Sequence, residues 1–370
     1  MFSELTVDVV DRVASVEPAQ WAALFPGHPD SYELVRLTES CGLNGFSFGS
    51  IVVRHAGRPV VLVPLFRTTF DLARLVDGFA RNVASMLSRF VPSLLRPRLL
   101  GVGFVEGEWG AIGLARDLPD PIRHRACELA SKTLDRLHHR QADLLLHLNF
   151  LPDGLAAFAP EKPGRFACID TYPCARVPLP YAHIDEYYER LSKNMRKDLR
   201  RKLRSAEGIT ILHTRQPGAW LEAIHNLYLR TVERSELSMG IQRRSMFASV
   251  CDRVPGARYV LYVDAGRLLA FNLLIESESI LVDKYFCTDL DAGRRLGLYF
   301  VSWIENIRYC IDRRIPVYHA GPGAEATKAR LGAKFLPSVT HFRHRNPLAQ
   351  ALLRRFRGLL AYKPAIDPNA

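Results

Sequence analysis

The sequence predicts an α/β (α+β) chain of two domains. Three observations carry this. The chain's 370 residues exceed what one hydrophobic core usually organises. Apolar residues switch repeatedly between period two and period 3.6, which indicates mixed strands and helices and excludes a bundle. A twelve-residue segment, residues 51–62 (IVVRHAGRPVVL), also aligns without gaps with residues 260–271 (VLYVDAGRLLAF). Both segments read as hairpins turning at Ala-Gly-Arg, which marks either a shared turn or a duplicated domain.

Taken in order, residues 6–10 alternate as a short strand, and residues 17–24 form a short helix with Trp21 on its buried face. Ser31 caps a helix to about residue 40. Residues 46–54 and 59–67 are the strands of the first hairpin. Residues 71–90 carry a helical pattern that Pro92 and Pro97 close. A strand at 99–104, a glycine-rich connection at 106–113, a helix at 121–139 and a strand at 144–149 complete the first half. Residues 166–177 are extended, and the prolines at 178 and 180 mark a boundary. A helical region from 183 leads into the basic stretch 192–204. Beyond it come a strand at 209–213, helices at 220–235 and 243–254, and an antiparallel meander at 258–264, 268–277 and 279–288. A polar turn at 289–295 enters a helix at 297–313, followed by a strand at 316–319 and the turn Gly321-Pro322-Gly323. The expected domains are 1–178, 179–345 and a basic amphipathic tail, 346–370.

The net charge of +12 predicts anionic partners: nucleotide cofactors, RNA or lipid head groups. Seven scattered cysteines without a C-x-x-C pair argue against a disulfide framework and against a zinc site, so no metal is expected and a reducing cytoplasm is the expected home. Residues 1–4 show no secretory signal pattern. The most apolar long stretch, 79–95, is interrupted by Arg81, Arg89 and Pro92 and falls short of a membrane span.

The basic stretch carries seven cations against one acid, with Met195, Leu199 and Leu203 recurring every fourth residue. As a helix, capped by Ser192 and stopped at Gly208, it has a thin apolar stripe and a broad cationic face. Such a face binds phosphates, lies on an anionic membrane or is merely solvated. Between two similar halves it becomes the wall of an expected cleft, with Lys193, Arg196, Lys197 and Arg200 aimed at phosphates and the stripe packed on the second domain. Further on, Gly293 and Gly297 let backbone approach a phosphate while Arg294 and Arg295 add charge, just where a helix N-terminus supplies N–H groups.

These residues carry a family resemblance. The R-x-x-G core at Arg294 to Gly297, between a meander and a helix, resembles the acyl-CoA pyrophosphate loop of the GNAT N-acyltransferases, departing from the commonest form at Tyr299. The basic stretch, the A-G-R-x-x-A-F hairpin at 265–271 and the K-x-R-x-G motif at 328–332 are together similar to the FemAB-like and CelD (BioF2-like) branch. That resemblance implies two tandem GNAT-like domains, each a mixed, mostly antiparallel sheet flanked by helices. It also implies direct transfer of an acyl group from acyl-CoA to an amine acceptor, with no covalent enzyme intermediate. The first copy lacks a glycine in its corresponding loop, 66–70, so one active site is expected.

The implied site comprises a backbone N–H near Tyr285 to Cys287 as oxyanion donor, with Gly293, Arg294, Arg295, Gly297 and Leu298 around the cofactor. Glu276 and Asp283 are the base candidates and Tyr285 the acid that protonates the leaving thiolate; Lys284 and Tyr285, being adjacent, face opposite sides of a strand. Lys328 and Arg330 contact anionic substrate or the reacting carbonyl. Solvated or core roles stand beside each of these. Two alternatives remain open: an aminoacyl-tRNA-dependent FemAB-like aminoacyltransferase, and a non-enzymatic basic RNA- or membrane-binding protein on an inactive GNAT scaffold. The tail sets Leu348, Leu352, Leu353, Phe356, Leu359 and Leu360 against Arg354, Arg355 and Arg357. Such a helix lies on the inner face of a membrane or docks on the protein.

Overall fold

The computed structural model describes residues 5–69, 96–155, 158, 166–234 and 240–362. The helical pattern at 71–90 lies outside them. The chain divides into two compact units, one of residues 1–172 and 337–363, the other of residues 173–336. The division falls within a strand, ahead of the prolines at 178 and 180, and residues 346–362 of the expected tail fall in the first unit.

In the first unit, β1 (Leu5–Val10), β2 (Ser47–His55), β3 (Arg58–Thr69) and β4 (Arg98–Val102) pair antiparallel in sequence order. The short β5 (Gly113–Leu114) pairs with β3. A 22-residue helix, Asp120–Gln141, then carries the chain across to β6 (Leu144–Phe150), which lies parallel to β4. Helices α1 (Pro18–Leu24) and α2 (Tyr32–Cys41) precede the hairpin, and the long helix is α3. The core includes Ile51 to Val53, Val60 to Val63, Leu100, Val102, Leu145 and Phe150, all fully buried, so the sheet is covered on both faces here.

The second unit repeats the plan. After β7 (Ala167–Pro178), α4 (Ile184–Arg190) and α5 (Lys193–Ser205), strands β8 (Thr210–Thr214), β9 (Ala257–Asp264), β10 (Arg267–Glu276) and β11 (Leu281–Thr288) pair antiparallel. Helices α6 (Leu221–Glu233) and α7 (Arg244–Arg253) lie between β8 and β9 in sequence. A helical crossover leads to β12 (Val317–Gly321), parallel to β11 and antiparallel to β7. The two hairpins match in geometry: Ala56 and Gly57, like Ala265 and Gly266, all have positive φ, the two-residue turn that the twist of paired strands favours.

Two elements depart from the sequence expectation. The polar turn at 289–295 is a helix, α8 (Leu290–Leu296), because the Asp289 side chain accepts from Ala292 N–H and caps it. The region after Lys328 adds a strand unseen in the sequence, β13 (Lys334–His344), which pairs with β6. Its exposed Lys334 and Pro337 hide the strand pattern.

The first unit also contains a pH-sensitive carboxylate. Burial pushes the Glu39 pKa from 4.5 up to about 7, although Val13 N–H donates to the group at 2.8 Å. A raised carboxyl pKa means that the folded state holds the proton more tightly. The associated stability is therefore complete below pH 4.5 and is lost as pH rises toward 7, with a magnitude of order 3 kcal/mol. Glu39→Gln is expected to flatten the dependence of the urea midpoint on pH across that window.

Candidate active site

The parallel pairs of the two units differ. In the first, β4 and β6 zip from Leu99–Leu144 to Val102–His147, the whole length of β4. In the second, the β11–β12 ladder has two rungs, Leu281–Tyr318 and Val282–His319, and then stops. Both strands continue, to Thr288 and Gly321. Past these two rungs β11 and β12 are no longer paired with each other and part as a wedge. A β-bulge at Lys284, where the register steps from Leu273–Tyr285 to Leu274–Asp283, bends β11 at this point and interrupts the alternation expected of Lys284 and Tyr285.

A buried polar network fixes the wedge. Asn272 Nδ2 donates to both Asp283 oxygens at 2.9 Å, Tyr318 Oη to Asp283 Oδ2 at 2.8 Å, and Asn306 Nδ2 to Asp283 Oδ2 at 3.2 Å. Tyr262 Oη and Ser302 Oγ donate to Asn272 Oδ1 at 3.0 and 2.9 Å. Asn272 and Asn306 are fully buried. A carboxylate that already accepts four hydrogen bonds is an anchor, so the network gives Asp283 a positioning role and not the expected role of a base.

Helix α8 ends at Gly297, which adopts φ 64° and immediately begins α9 (Leu298–Asp312). An added Cβ at Gly297 would lie 3.1 Å from Lys202 Cβ and Cγ, so the basic helix α5 packs directly against this junction. Lys202 Nζ sits 3.4 Å above the Phe300 ring. Desolvation lowers the Lys202 pKa, opposed by Asp198. Asp198 itself is held below the usual carboxylate range, chiefly by a hydrogen bond from Arg201, with Lys202 and Arg330 acting in the same direction. Lys202 and Arg330 therefore flank the junction, while Arg294 and Arg295 are exposed on the last turn of α8.

Residues 193–329 match the family model described as an acetyltransferase (GNAT) domain. This match covers most of the second unit. The whole chain has the tandem GNAT-type fold. It resembles the C-terminal domain of a protein described as a lysylphosphatidylglycerol synthetase from Agrobacterium fabrum, at 13% identity and TM-score 0.55, covering 91% of this chain and 95% of that one. It resembles FemX at 11% identity and TM-score 0.54, covering 92% and 98%. A tandem GNAT protein from the clavulanic acid biosynthesis pathway matches at 14% identity and TM-score 0.52, covering 93% and 99%. At these identities the likeness is one of fold. Comparison with curated proteins finds no sequence match.

Within the GNAT domain, several expected residues have structural duties. In α5, Met195 and Leu199 are buried as the stripe predicts, and Ser192 Oγ accepts from Met195 N–H. Arg196, however, donates back to the Glu189 and Leu191 carbonyls at 3.2 and 3.0 Å. Lys193, Lys197 and Arg200 are exposed and lie, at 100° per residue, on the side of the helix away from Lys202. The expectation that these four are aimed at phosphates is corrected: the cation at the junction is Lys202, which sequence reasoning missed because it borders the apolar stripe.

Glu276 is also taken up. Tyr309 Oη donates to it at 2.5 Å, and Arg258 and Arg313 lie at 3.4 and 3.9 Å. Glu276 ends β10 two residues past the bulge, opposite Leu281 at the paired end of the β11–β12 ladder, and these contacts occupy its carboxylate. Tyr285 joins the Tyr228 and Phe247 rings at 5.3 and 5.9 Å. Cys287 is 1% exposed, and burial pushes its thiol pKa up to about 12, so it makes a poor nucleophile. Leu298 is fully buried and packs in the core of the unit. Gly293 admits Thr288, whose Oγ1 would lie 2.7 Å from an added Cβ.

Lys328 is 4% exposed, and its Nζ donates to the carbonyls of Ala320, Gly321 and Pro322 at 2.7, 3.0 and 2.9 Å. Its three N–H bonds are spent on the turn, which corrects the expected contact with substrate. Removing the ammonium strands three carbonyls. Lys328→Met is therefore expected to cost about 2–4 kcal/mol in chemical denaturation.

Proposed function

We propose that the second unit transfers an acyl group from acyl-CoA to an amine acceptor by direct attack. The observation that carries this reading is the two-rung β11–β12 ladder beside the Gly297 junction. The wedge accepts the extended arm of the donor, and the junction, with Lys202, Arg294, Arg295 and Arg330, faces its phosphates. The amine nitrogen attacks the thioester carbonyl carbon; the C–N bond forms, the C–S bond breaks and the thiolate departs. A backbone N–H of the Tyr285 to Cys287 segment holds the oxyanion. The poor nucleophilicity of Cys287 favours direct transfer over an acylated enzyme. The fully zipped β4–β6 pair supports a single active site in the second unit.

Acetyl-CoA or CoA is expected to raise the melting temperature of the protein. A double Arg294→Ala, Arg295→Ala change is expected to weaken that binding about tenfold or more, in line with loss of charge-assisted phosphate contacts. No shift with any CoA ester, together with salt-steep binding of tRNA, would favour the aminoacyl-tRNA reading.

We also propose that helix α11 (Pro347–Arg355) rests on an anionic membrane surface. Its inner face is held by Gln350, which accepts from His344 N–H at 2.7 Å, and by Leu353, packed on Leu144, Ala167 and Phe342. Leu348, Leu352 and Phe356 are exposed at 79, 43 and 48%, on one stripe at i, i+4 and i+8. Arg354, Arg355 and Arg357 border that stripe, and residues 346–362 contain no acid. Among the described residues no helix is long and apolar enough to cross a membrane. The protein is expected to sediment with phosphatidylglycerol-containing vesicles and not with pure phosphatidylcholine. Leu348→Asp with Leu352→Asp should reduce that binding about tenfold.

A further inference from the structure

The first unit holds a cavity that acyl transfer does not use. It lies between α2, the strands β2 and β3 and the loop that follows β4, and it encloses about 490 Å³ of space, its open mouth included. Trp21, Leu34, Phe48, Leu65 and Phe104 supply apolar walls. The Trp21 and Phe104 rings stand 5.8 Å apart and present one aromatic surface. The charged groups are all of one sign. Asp30, Glu39 and Glu106 line the cavity, and among its described lining residues there is no lysine, arginine or histidine. In a chain of net charge +12, such a lining is the reverse of what composition alone would supply.

Two of the carboxylates are held by backbone. Glu39 Oε2 accepts from Val13 N–H at 2.8 Å. Asp30 is 2% exposed, and its Oδ2 accepts from Glu108 N–H at 2.9 Å. A Cβ on Gly107 would lie 2.8 Å from that same oxygen, so glycine is what lets the loop close over Asp30. His28 Nδ1 lies 3.6 Å from Asp30 Oδ2, but burial lowers the His28 pKa and leaves the ring neutral at pH 7. Burial raises the Glu39 pKa to about 7, with the exposed Arg12 opposing; Asp30 and Glu106 share the cavity with it, and Tyr32, which feels its charge, keeps its own proton. Glu39 therefore holds a proton near neutral pH, and a cation brought beside it would release that proton.

We propose that this cavity binds a small organic cation, its charge held by Glu39 together with Asp30 and Glu106 and its apolar body set against Trp21 and Phe104. Carboxylates give charge-assisted hydrogen bonds, and aromatic faces attract the same positive charge. An uncharged apolar ligand would bury the carboxylates without compensating them, and an anion would be repelled. The site lies wholly in the first unit and uses no group assigned to acyl transfer, so it stands whether or not that reading does. Binding is non-covalent and moves one proton, from Glu39 to solvent, as the cation enters.

The test uses the full chain and three ligands of similar shape, n-butylammonium, n-butanol and butyrate, titrated calorimetrically. n-Butylammonium is expected to bind at least about tenfold more tightly than n-butanol, and butyrate not to bind. Near pH 6, where Glu39 carries its proton, titrations in buffers of different ionisation enthalpy should show release of about one proton per ammonium bound. Glu39→Gln, near-isosteric and still able to accept from Val13, should abolish that release and weaken binding about tenfold. Glu33→Gln, on the same helix but not lining the cavity, should change neither. Equal affinity for n-butanol and n-butylammonium, absence of ammonium binding, or proton release that survives in Glu39→Gln each overturns the proposal. Should Glu39→Gln fail to fold, proton release by the wild-type chain decides.

Discussion

One carboxylate organises the second unit. Asp283 accepts from Asn272 on β10, Asn306 on α9 and Tyr318 on β12, while Asn272 in turn receives Tyr262 from β9 and Ser302 from α9. Three adjacent strands and the crossover helix are thus tied to the strand that carries the bulge. The network satisfies both Asp283 oxygens and both polar atoms of the Asn272 side chain, and it lies where the β11–β12 ladder ends.

Around that fixed point the charges divide by duty. The excess of cations in the sequence suggests one broad phosphate-binding face, but the molecule spends them separately. Arg196 closes the end of the preceding helix, Lys328 staples a turn, Arg258 and Arg313 neutralise Glu276, and only a few cations remain beside the Gly297 junction. Net charge therefore gives only the excess of cations, and tertiary packing decides which of them are spent on internal contacts. The same holds for the tail, where one face of α11 is used in the core and the opposite face is left apolar and solvent-exposed.

The two units share an order of strands and a hairpin geometry but differ at the parallel pair. In the first unit the β4–β6 ladder runs from Leu99 to Val102. In the second the ladder ends early. A duplicated scaffold can in this way keep one copy as support while the other retains a site, with each strand's own pattern unaltered.

Much of this was legible in the residues themselves. Period-two and period-3.6 patterns located nearly all the strands and helices, the Ala-Gly-Arg turns exposed the repeat, and the Arg-x-x-Gly core marked the junction. These are local signals, set by backbone preference and by which face of an element is apolar. Local pattern also located Asp283 and Lys328, but misassigned their work, because a carboxylate or an ammonium looks the same in sequence whether its partners are a substrate or three backbone carbonyls. Lys202 was passed over because it borders the apolar stripe of its own helix. What the sequence by itself determined was the kind of elements and their order. Which polar groups are satisfied and which are left waiting was decided only by the tertiary structure, because hydrogen-bond partners converge from residues that lie far apart in the chain.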